Sequence, residues 1–308
     1  AQLLEHAPAL LHDREKWTRY LLPLEEIEAL RVARELPALG RLHDIAEVDV
    51  GIVTGRNAFF VVTPSQADEL GIRQRCIPLV SKSAHVRGTS FSDHDLRSLE
   101  TEDARCLLLA VPHDFELATD QLLRRYVEDG EGAGVHLGYK CSIRRKWWAV
   151  PSVWTPDAFL LRQIYDHPRI IANQTGATST DTIHRVRCSA GVDPRTLAAA
   201  SINSATFAFS EVMGRSYGGG VLELEPREAE ELPFPWPGHL SMADVALVER
   251  LTQAGHLKEA LDHVDRVLLI ESIGMEPCLV ACLRDAWERL RDRRLARGRS
   301  SRRGTLPW

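Results

Sequence analysis

The chain has 308 residues, 44% hydrophobic and 26% charged, with a net charge of −5, a composition ordinary for a globular protein long enough to hold two domains. No run approaches the roughly 18 apolar residues of a membrane span, and the opening AQLLEHAPALLHDREKW has no cationic segment followed by an apolar one, so a cytoplasmic protein is expected. The charge is uneven: residues 1–130 carry 15 basic and 22 acidic groups, 131–220 carry 10 and 6, 221–283 carry 4 and 12, and 284–308 carry 9 and 3. Two basic regions sit in an acidic body, and a polyanion follows that local field rather than the sum.

The chain starts at Ala1, without a methionine and in mid-pattern, as expected of a piece of something longer. Residues 13–36 read as helical: Trp17, Tyr20, Leu21, Leu24, Ile27, Leu30 and Val32 recur at near-helical spacing, and Pro23 can start a second piece. From Leu42 the period shifts to a strand, IAEVDVGIVTG, with Gly51 leaving backbone exposed. Thr54-Gly55-Arg56-Asn57 then turns into AFFVV (58–62), a hairpin-like pair, and Thr63-Pro64 opens a short helix.

Between Ile72 and Glu102 the sequence is polar and irregular, with Lys82, His85 and Arg87 near Ser81, Ser83 and Thr89. Phosphate contacts and plain surface fit that loop equally. CLLLAV (106–111) is a short buried strand, and residues 119–129 form an amphipathic helix. The segment DGEGAGVHLG (129–138) has a superficial likeness to the glycine loop that binds S-adenosylmethionine. Such a loop follows a buried strand, whereas a helix precedes this one, so a helix terminator and turn is expected.

The chemistry concentrates in HLGYKCSIRRKWWAVPSVW (136–154), where Lys140, Arg144, Arg145 and Lys146 stand beside Trp147, Trp148 and Trp154 and no acidic residue occurs between Gly132 and Pro156. Four cations beside flat rings suit a nucleic-acid face, because they offset phosphate charge and release counterions. A half-buried strand along Ile143, Trp147, Ala149 and Val153 whose polar side is basic is the other reading.

RIIANQ (169–174) reads as a strand leading into the polar turn TGATSTDTIHRVR (175–187). A Ser-His-Asp hydrolase is not supported there, since Ser179 lies in no Gly-x-Ser-x-Gly elbow. Hydroxyls and arginines in such a loop suit phosphate and base edges better. Pro194 to Met213 reads as one helix ending at Gly214, and GRSYGGGVLELEP (214–226) as a glycine turn into a strand. Three glycines beside Arg215, Ser216 and Tyr217 allow close approach of a ligand, though a tight turn alone also needs them; a P-loop lysine is absent. The prolines of PFPWPGH (233–239) mark a domain end, residues 242–291 are helical, and the basic RDRRLARGRSSRRGTLPW is expected to be frayed. The six cysteines show no Cys-x-x-Cys pair or zinc spacing, and Cys278 and Cys282 are expected in a core.

Together, VGIVTGRNAFFVVT (50–63), GYKCSIRRKWWAVPSVW (138–154), STDTIHRVR (179–187) and GRSYGGGVLELEP with EAEELPFP (214–235) resemble the C-terminal, target-recognition half of gamma-class adenine-specific DNA methyltransferases of restriction–modification systems, the TaqI-like group. The likeness covers about residues 15–237. In that family a catalytic half binds S-adenosylmethionine and holds the flipped adenine with an Asn/Asp-Pro-Pro-Tyr/Phe motif. No two prolines are adjacent here, so that motif is absent from this chain.

The resemblance implies an α+β target-recognition domain with a mixed or antiparallel sheet: a helical connector from a catalytic domain over 1–42, the DNA-reading part over 43–237, and a helical extension with a basic tail over 238–308. It implies double-stranded DNA as partner, S-adenosylmethionine as the cofactor of the complete enzyme but not of this chain, and a catalytic domain, either a separate subunit or, as the mid-pattern start favours, part of the same full-length polypeptide; no metal is expected, given the cysteine and histidine spacing. Candidate DNA contacts are Thr54, Arg56 and Asn57 at a hairpin turn, Lys140, Arg144, Arg145 and Lys146 on phosphates or guanines, Thr180, His184 and Arg185 on a loop, and Arg215, Ser216 and Tyr217 at the glycine turn. The rival readings are a protein-interaction module and a restriction nuclease with its own chemistry, though no convincing Asp…Glu-x-Lys centre is visible.

Overall fold

A computed structural model describes residues 16–303. The first fifteen residues, which open the expected connector, and the last five, which end the basic tail, lie outside the described residues. Among the described residues, helices and four sheets give an α+β fold with a helical lead-in and a long C-terminal helix, as expected. Two compact units divide it: the described residues of Ala1–Val48, Leu160–Ile170 and Arg187–Trp308 form one, Asp49–Phe159 and Ile171–Val186 the other.

One sheet has five strands in the order Ala46–Asp49, Ile183–Cys188, Ala158–Leu161, Ile170–Asn173 and Ser90–Phe91, the last pair parallel with Ser90 opposite Ala172. Another runs Thr178–Ser179, Cys76–Val80, Leu107–Leu109 and Val61–Val62. Its first pairing is parallel and the other two antiparallel, with Ile77 and Val61 both opposite Leu108. The expected 45–62 hairpin is therefore not formed. Asn57–Phe60 is a single helical turn, and Val61–Val62 belongs to a different sheet from Ala46–Asp49.

The polar run 72–102 is also more ordered than expected. It contains the strand Cys76–Val80 and the helix Asp93–Thr101, which is opened by a capping box between Ser92 and Asp95. Thr63 and Gln66 make the same box ahead of Pro64–Glu69, as the Thr-Pro signal implies. The expected polar turn 175–187 is mostly strand, with Thr178, Ser179 and Thr180 buried. Gly51 explains part of this packing: a Cβ there would fall 2.0 Å from the carbonyl oxygen of Thr180 and 2.3 Å from that of Ile183. Its role is close backbone approach, not exposure.

The helix Gln121–Gly132 begins at Asp120, whose carboxylate accepts the Leu123 amide at 3.0 Å and Arg75 Nε at 3.0 Å. The Leu123 hydrogen bond first, and Arg75 after it, hold that carboxyl below the usual range. A depressed folded pKa means the contribution is complete above the ordinary Asp value of about 3.9 and is lost as pH falls through the lower folded value. We expect Asp120→Ala to cost about 1 kcal/mol in urea unfolding at pH 7, the usual worth of such a cap, and the deficit to disappear in strong acid. A deficit independent of pH would show that the charge is not what matters.

In the other unit, Ser204–Met213 is a core helix buried from Ser204 to Val212. Its Phe207 meets Trp287 with ring centroids 4.9 Å apart. The helix expected over 194–213 breaks at 201–203, because Asn203 turns extended and caps the second piece by accepting the Thr206 amide. Pro277–Arg303 is one continuous helix, so the tail from Arg291 is wound rather than frayed over its described part. That helix is held by polar anchors. Arg294 pairs with Glu211, Arg284 with Asp265 at 2.7 Å, and Arg289 with Glu26 at 2.7 Å. Cys278 is exposed and Cys282 half-buried, so neither is the core cysteine expected from the apolar pattern.

Candidate nucleic-acid interface

Two segments far apart in sequence meet within the unit that begins at Asp49. Gly55 adopts φ +84°, and a Cβ there would lie 2.8 Å from Lys140 Cβ and 3.2 Å from Cys141 Sγ. The left-handed conformation and the lack of room both require glycine. The loop Val53–Asn57 thus lies directly against the short helix Tyr139–Ser142. The Thr54 hydroxyl, buried, donates to Asn57 Oδ1 and accepts the Arg56 amide, and the Cys141 thiol points at the Thr54 carbonyl at 3.8 Å.

The four cations of the basic stretch then separate into two pairs. Arg144 donates to the Val53 carbonyl at 2.8 Å and lies 5.7 Å above the Phe60 ring, and its burial lowers its pKa. Lys146 donates to the Phe115 carbonyl at 2.8 Å and sits 3.6 Å from Glu116. Both brace the fold. Lys140 and Arg145 are exposed, as is Arg56 on the neighbouring loop, and neither Arg56 nor Arg145 forms an ion pair with another described residue. The surface also holds Leu137, Tyr139 and Ile143 in solvent.

No strand runs through 139–153, so the basic-faced strand is not the explanation of the alternation. Its tryptophans have another origin. Trp147 is buried, with its ring centroid 5.1 Å from Phe59 and 6.2 Å from Phe60, and its Nε1 donates to Glu131 at 3.0 Å. Tyr126 stacks on Phe59 at 4.5 Å and donates its hydroxyl to the Phe59 carbonyl at 2.7 Å. Burial pushes the Tyr126 phenol up to about 12. Gly130 completes the cluster, since a Cβ would fall 2.5 Å from Phe59 and 2.8 Å from Trp147.

The glycines of 129–138 have conformational and packing roles of their own. The helix continues to Gly132, Gly134 turns left-handed, and a short turn Val135–Leu137 follows. Gly130 is a packing glycine, and a helix rather than a strand leads into the segment. Among the described residues, no group of three or more His, Cys, Asp or Glu side chains is placed to hold a metal ion.

The remaining candidates lie elsewhere. Thr180 is buried, its hydroxyl 3.3 Å from the Ser81 carbonyl, and the His184 ring is fully buried. Arg185 is 2% exposed: it donates to the carbonyls of Val50 at 3.1 Å and Ser152 at 2.6 Å, reaches Asp49 at 3.1 Å, and lies 4.4 Å over the Trp154 ring. Arg215, Ser216 and Tyr217 are in the other unit, on the surface. There Arg215 donates to Glu228 at 2.9 Å, Ser216 accepts from Arg297 at 3.3 Å, and Tyr217 is exposed. Of the glycines beside them, Gly219 and Gly220 adopt φ +76° and +80°, and the backbone packs closely on the C-terminal helix, where a Cβ at Gly298 would fall 2.5 Å from the Gly219 backbone.

Sequence reasoning missed Arg105. Its guanidinium donates to the carbonyls of Asn57 at 2.9 Å, Ala58 at 3.0 Å and Val61 at 2.9 Å, satisfying the end of the turn that carries Asn57. No local pattern announces a partner so distant in the chain.

Comparison with known proteins adds two findings. The family model described as "Type II methyltransferase M.Eco57I, C-terminal domain" matches residues 14–269. Among solved structures, the type IIG restriction endonuclease BpuSI is similar, with a TM-score of 0.52 at 13% identity over 91% of this chain. That likeness is one of fold, and the chain spans 34% of the BpuSI chain.

Proposed function

The chain belongs to the family of the type II methyltransferase M.Eco57I C-terminal domain, and from that premise we propose that it reads double-stranded DNA as the specificity part of an adenine-N6 methyltransferase of a restriction–modification system, akin to the gamma-class, TaqI-like enzymes. S-adenosylmethionine and the methyl transfer belong, on this reading, to a catalytic domain of the same full-length polypeptide. The observation that carries it is the juxtaposition of Val53–Asn57 with Tyr139–Arg145. It leaves Arg56, Lys140 and Arg145 exposed beside a stretch with no acidic residue between Gly132 and Pro156. Cations that are neither paired nor buried remain able to exchange their counterions for phosphate oxygens.

Arg144, Lys146 and Arg185 then act beneath the surface, holding the loops that present the contacts, and Asn57 and Thr54 set the shape of the exposed turn. The test is binding of mixed-sequence duplex DNA by this chain at several salt concentrations. Each phosphate contact adds about 0.9 to the slope of log affinity against log salt. The triple variant Arg56→Ala, Lys140→Ala, Arg145→Ala is therefore expected to flatten that slope by about 2 to 3 and to weaken binding alike on all sequences. An unchanged slope would remove this face from the DNA interface, and retention of a protein partner without duplex DNA would favour an interaction module.

A further inference from the structure

Three large apolar side chains stand out of the same surface: Leu137 is 72% exposed, Tyr139 73% and Ile143 63%. Scattered exposed apolar residues are normal, but three within seven positions form a patch of the kind that marks a contact surface. Tyr139 and Ile143 are four apart, and Ile143 keeps helical backbone angles at the end of the short helix, so both point from one face.

The segment that carries them is firmly held from behind. Cys141 is buried against the Thr54 carbonyl, the Ser142 amide bonds to the Gly138 carbonyl at 2.8 Å, Arg144 ties to Val53, and Trp147 lies in the aromatic cluster. These side chains are thus presented at little further entropic cost on binding, unlike those of a loop that must order itself.

The cations around them choose the occupant. Lys140 Nζ lies 5.6 Å from the centre of the Tyr139 ring, exposed Arg145 follows Ile143 by two positions, and exposed Arg56 adjoins Gly55, which packs on Lys140. Apolar side chains with cations beside them match a duplex, in which charged phosphates flank a stack of flat apolar bases. We propose, building on the DNA-reading role above, that Tyr139 and Ile143 press into the base stack of duplex DNA and partly unstack one step, while Lys140, Arg145 and Arg56 hold the phosphates on either side. Flexible pyrimidine–purine steps open at the smallest deformation energy, so the wedge prefers TA and CA/TG steps.

The test uses this chain alone, which keeps the signal apart from any base flipped by a catalytic domain. Mixed-sequence duplexes carry 2-aminopurine in place of adenine at a TA, CA or, as the stiffer control, GA step, and its fluorescence rises when a neighbour unstacks. The wild-type chain is expected to bind with salt dependence and to raise fluorescence most at TA and CA steps. The Tyr139→Ala, Ile143→Ala double variant is expected to keep the salt slope, lose the fluorescence rise and bind about 10-fold more weakly, in line with the loss of one stacking contact. Circular dichroism should be unchanged, since both side chains are solvent-exposed.

Salt-dependent binding by wild type with no fluorescence rise, or a rise that survives the double substitution, would overturn the wedge and leave the DNA-reading role standing. Absence of salt-dependent DNA binding would overturn both. So would retention of an acidic protein in place of duplex DNA, with Tyr139→Ala abolishing that retention.

Discussion

Arg294→Ala is expected to cost about 3–5 kcal/mol, the range for removing one partner of a buried ion pair. Arg294 and Glu211 have side chains only 2% and 3% exposed. Arg294 also donates to the Tyr165 carbonyl at 3.0 Å and to the Gly220 carbonyl. One guanidinium therefore joins the C-terminal helix to the core helix Ser204–Met213, the segment around Tyr165 and the glycine turn.

Its removal strands a carboxylate. Burial already pushes the Glu211 carboxyl up, and the Arg294 hydrogen bonds oppose that. Without them the folded state takes up a proton that the unfolded chain has lost, so the variant's stability falls as pH rises from about 4 toward 7. The measurement is urea unfolding at pH 5 and pH 7, with the larger deficit at pH 7. Replacing both partners, Glu211→Met with Arg294→Met, is expected to recover most of the loss, because neither charge is then left buried alone. A single variant within about 1 kcal/mol of wild type would show that water reaches the pair, given the cost expected of an isolated buried charge.

Arg185→Ala ranks second, at about 2–4 kcal/mol, because each charged hydrogen bond to a partner left unsatisfied is worth about 1.5–3 kcal/mol and part of that is regained from water at the exposed Asp49. Arg185 stitches the chain around Asp49 and Val50 to the turn at Ser152 and supports Trp154. Lysine should not rescue it, since one ammonium cannot reproduce the planar fork. The decisive comparison sets unfolding against DNA affinity. A stability loss, with affinity retained in the fraction that stays folded, marks a brace; weakened DNA binding at unchanged stability would restore Arg185 as a direct contact.

The elements with strong local signals were legible. Pro23 does precede a helix, Thr63-Pro64 does open one with its capping box, and 107–109 is a buried strand. The failures lie where local and distant partners compete. AFFVV is aromatic and β-branched enough for a strand, yet Phe59 and Phe60 are drawn into the cluster with Trp147, and Arg105 satisfies the turn that results. The hydroxyl-rich 178–187 looks like solvent-facing loop, but the Ser179 hydroxyl bonds to the Ile183 carbonyl and those of Thr180 and Thr182 to the Ser81 carbonyl. Buried polar groups that find such partners carry no mark in the primary sequence.

The same competition shaped the candidate site. That a cationic, acid-free stretch exists between Gly132 and Pro156, and that Arg56 sits in a turn, follows from the sequence alone, because charge and turn chemistry are local properties. The ordered blocks also carry the likeness to a methyltransferase C-terminal domain, which the family match over residues 14–269 supports. Which cations face solvent was decided only by the tertiary structure. Arg144 and Lys146 turn inward to the carbonyls of Val53 and Phe115, while Lys140 and Arg145, one to six positions away, do not. An unpaired carbonyl near a partly buried surface is a stronger local demand than any periodicity, and its position depends on residues some thirty to ninety positions distant.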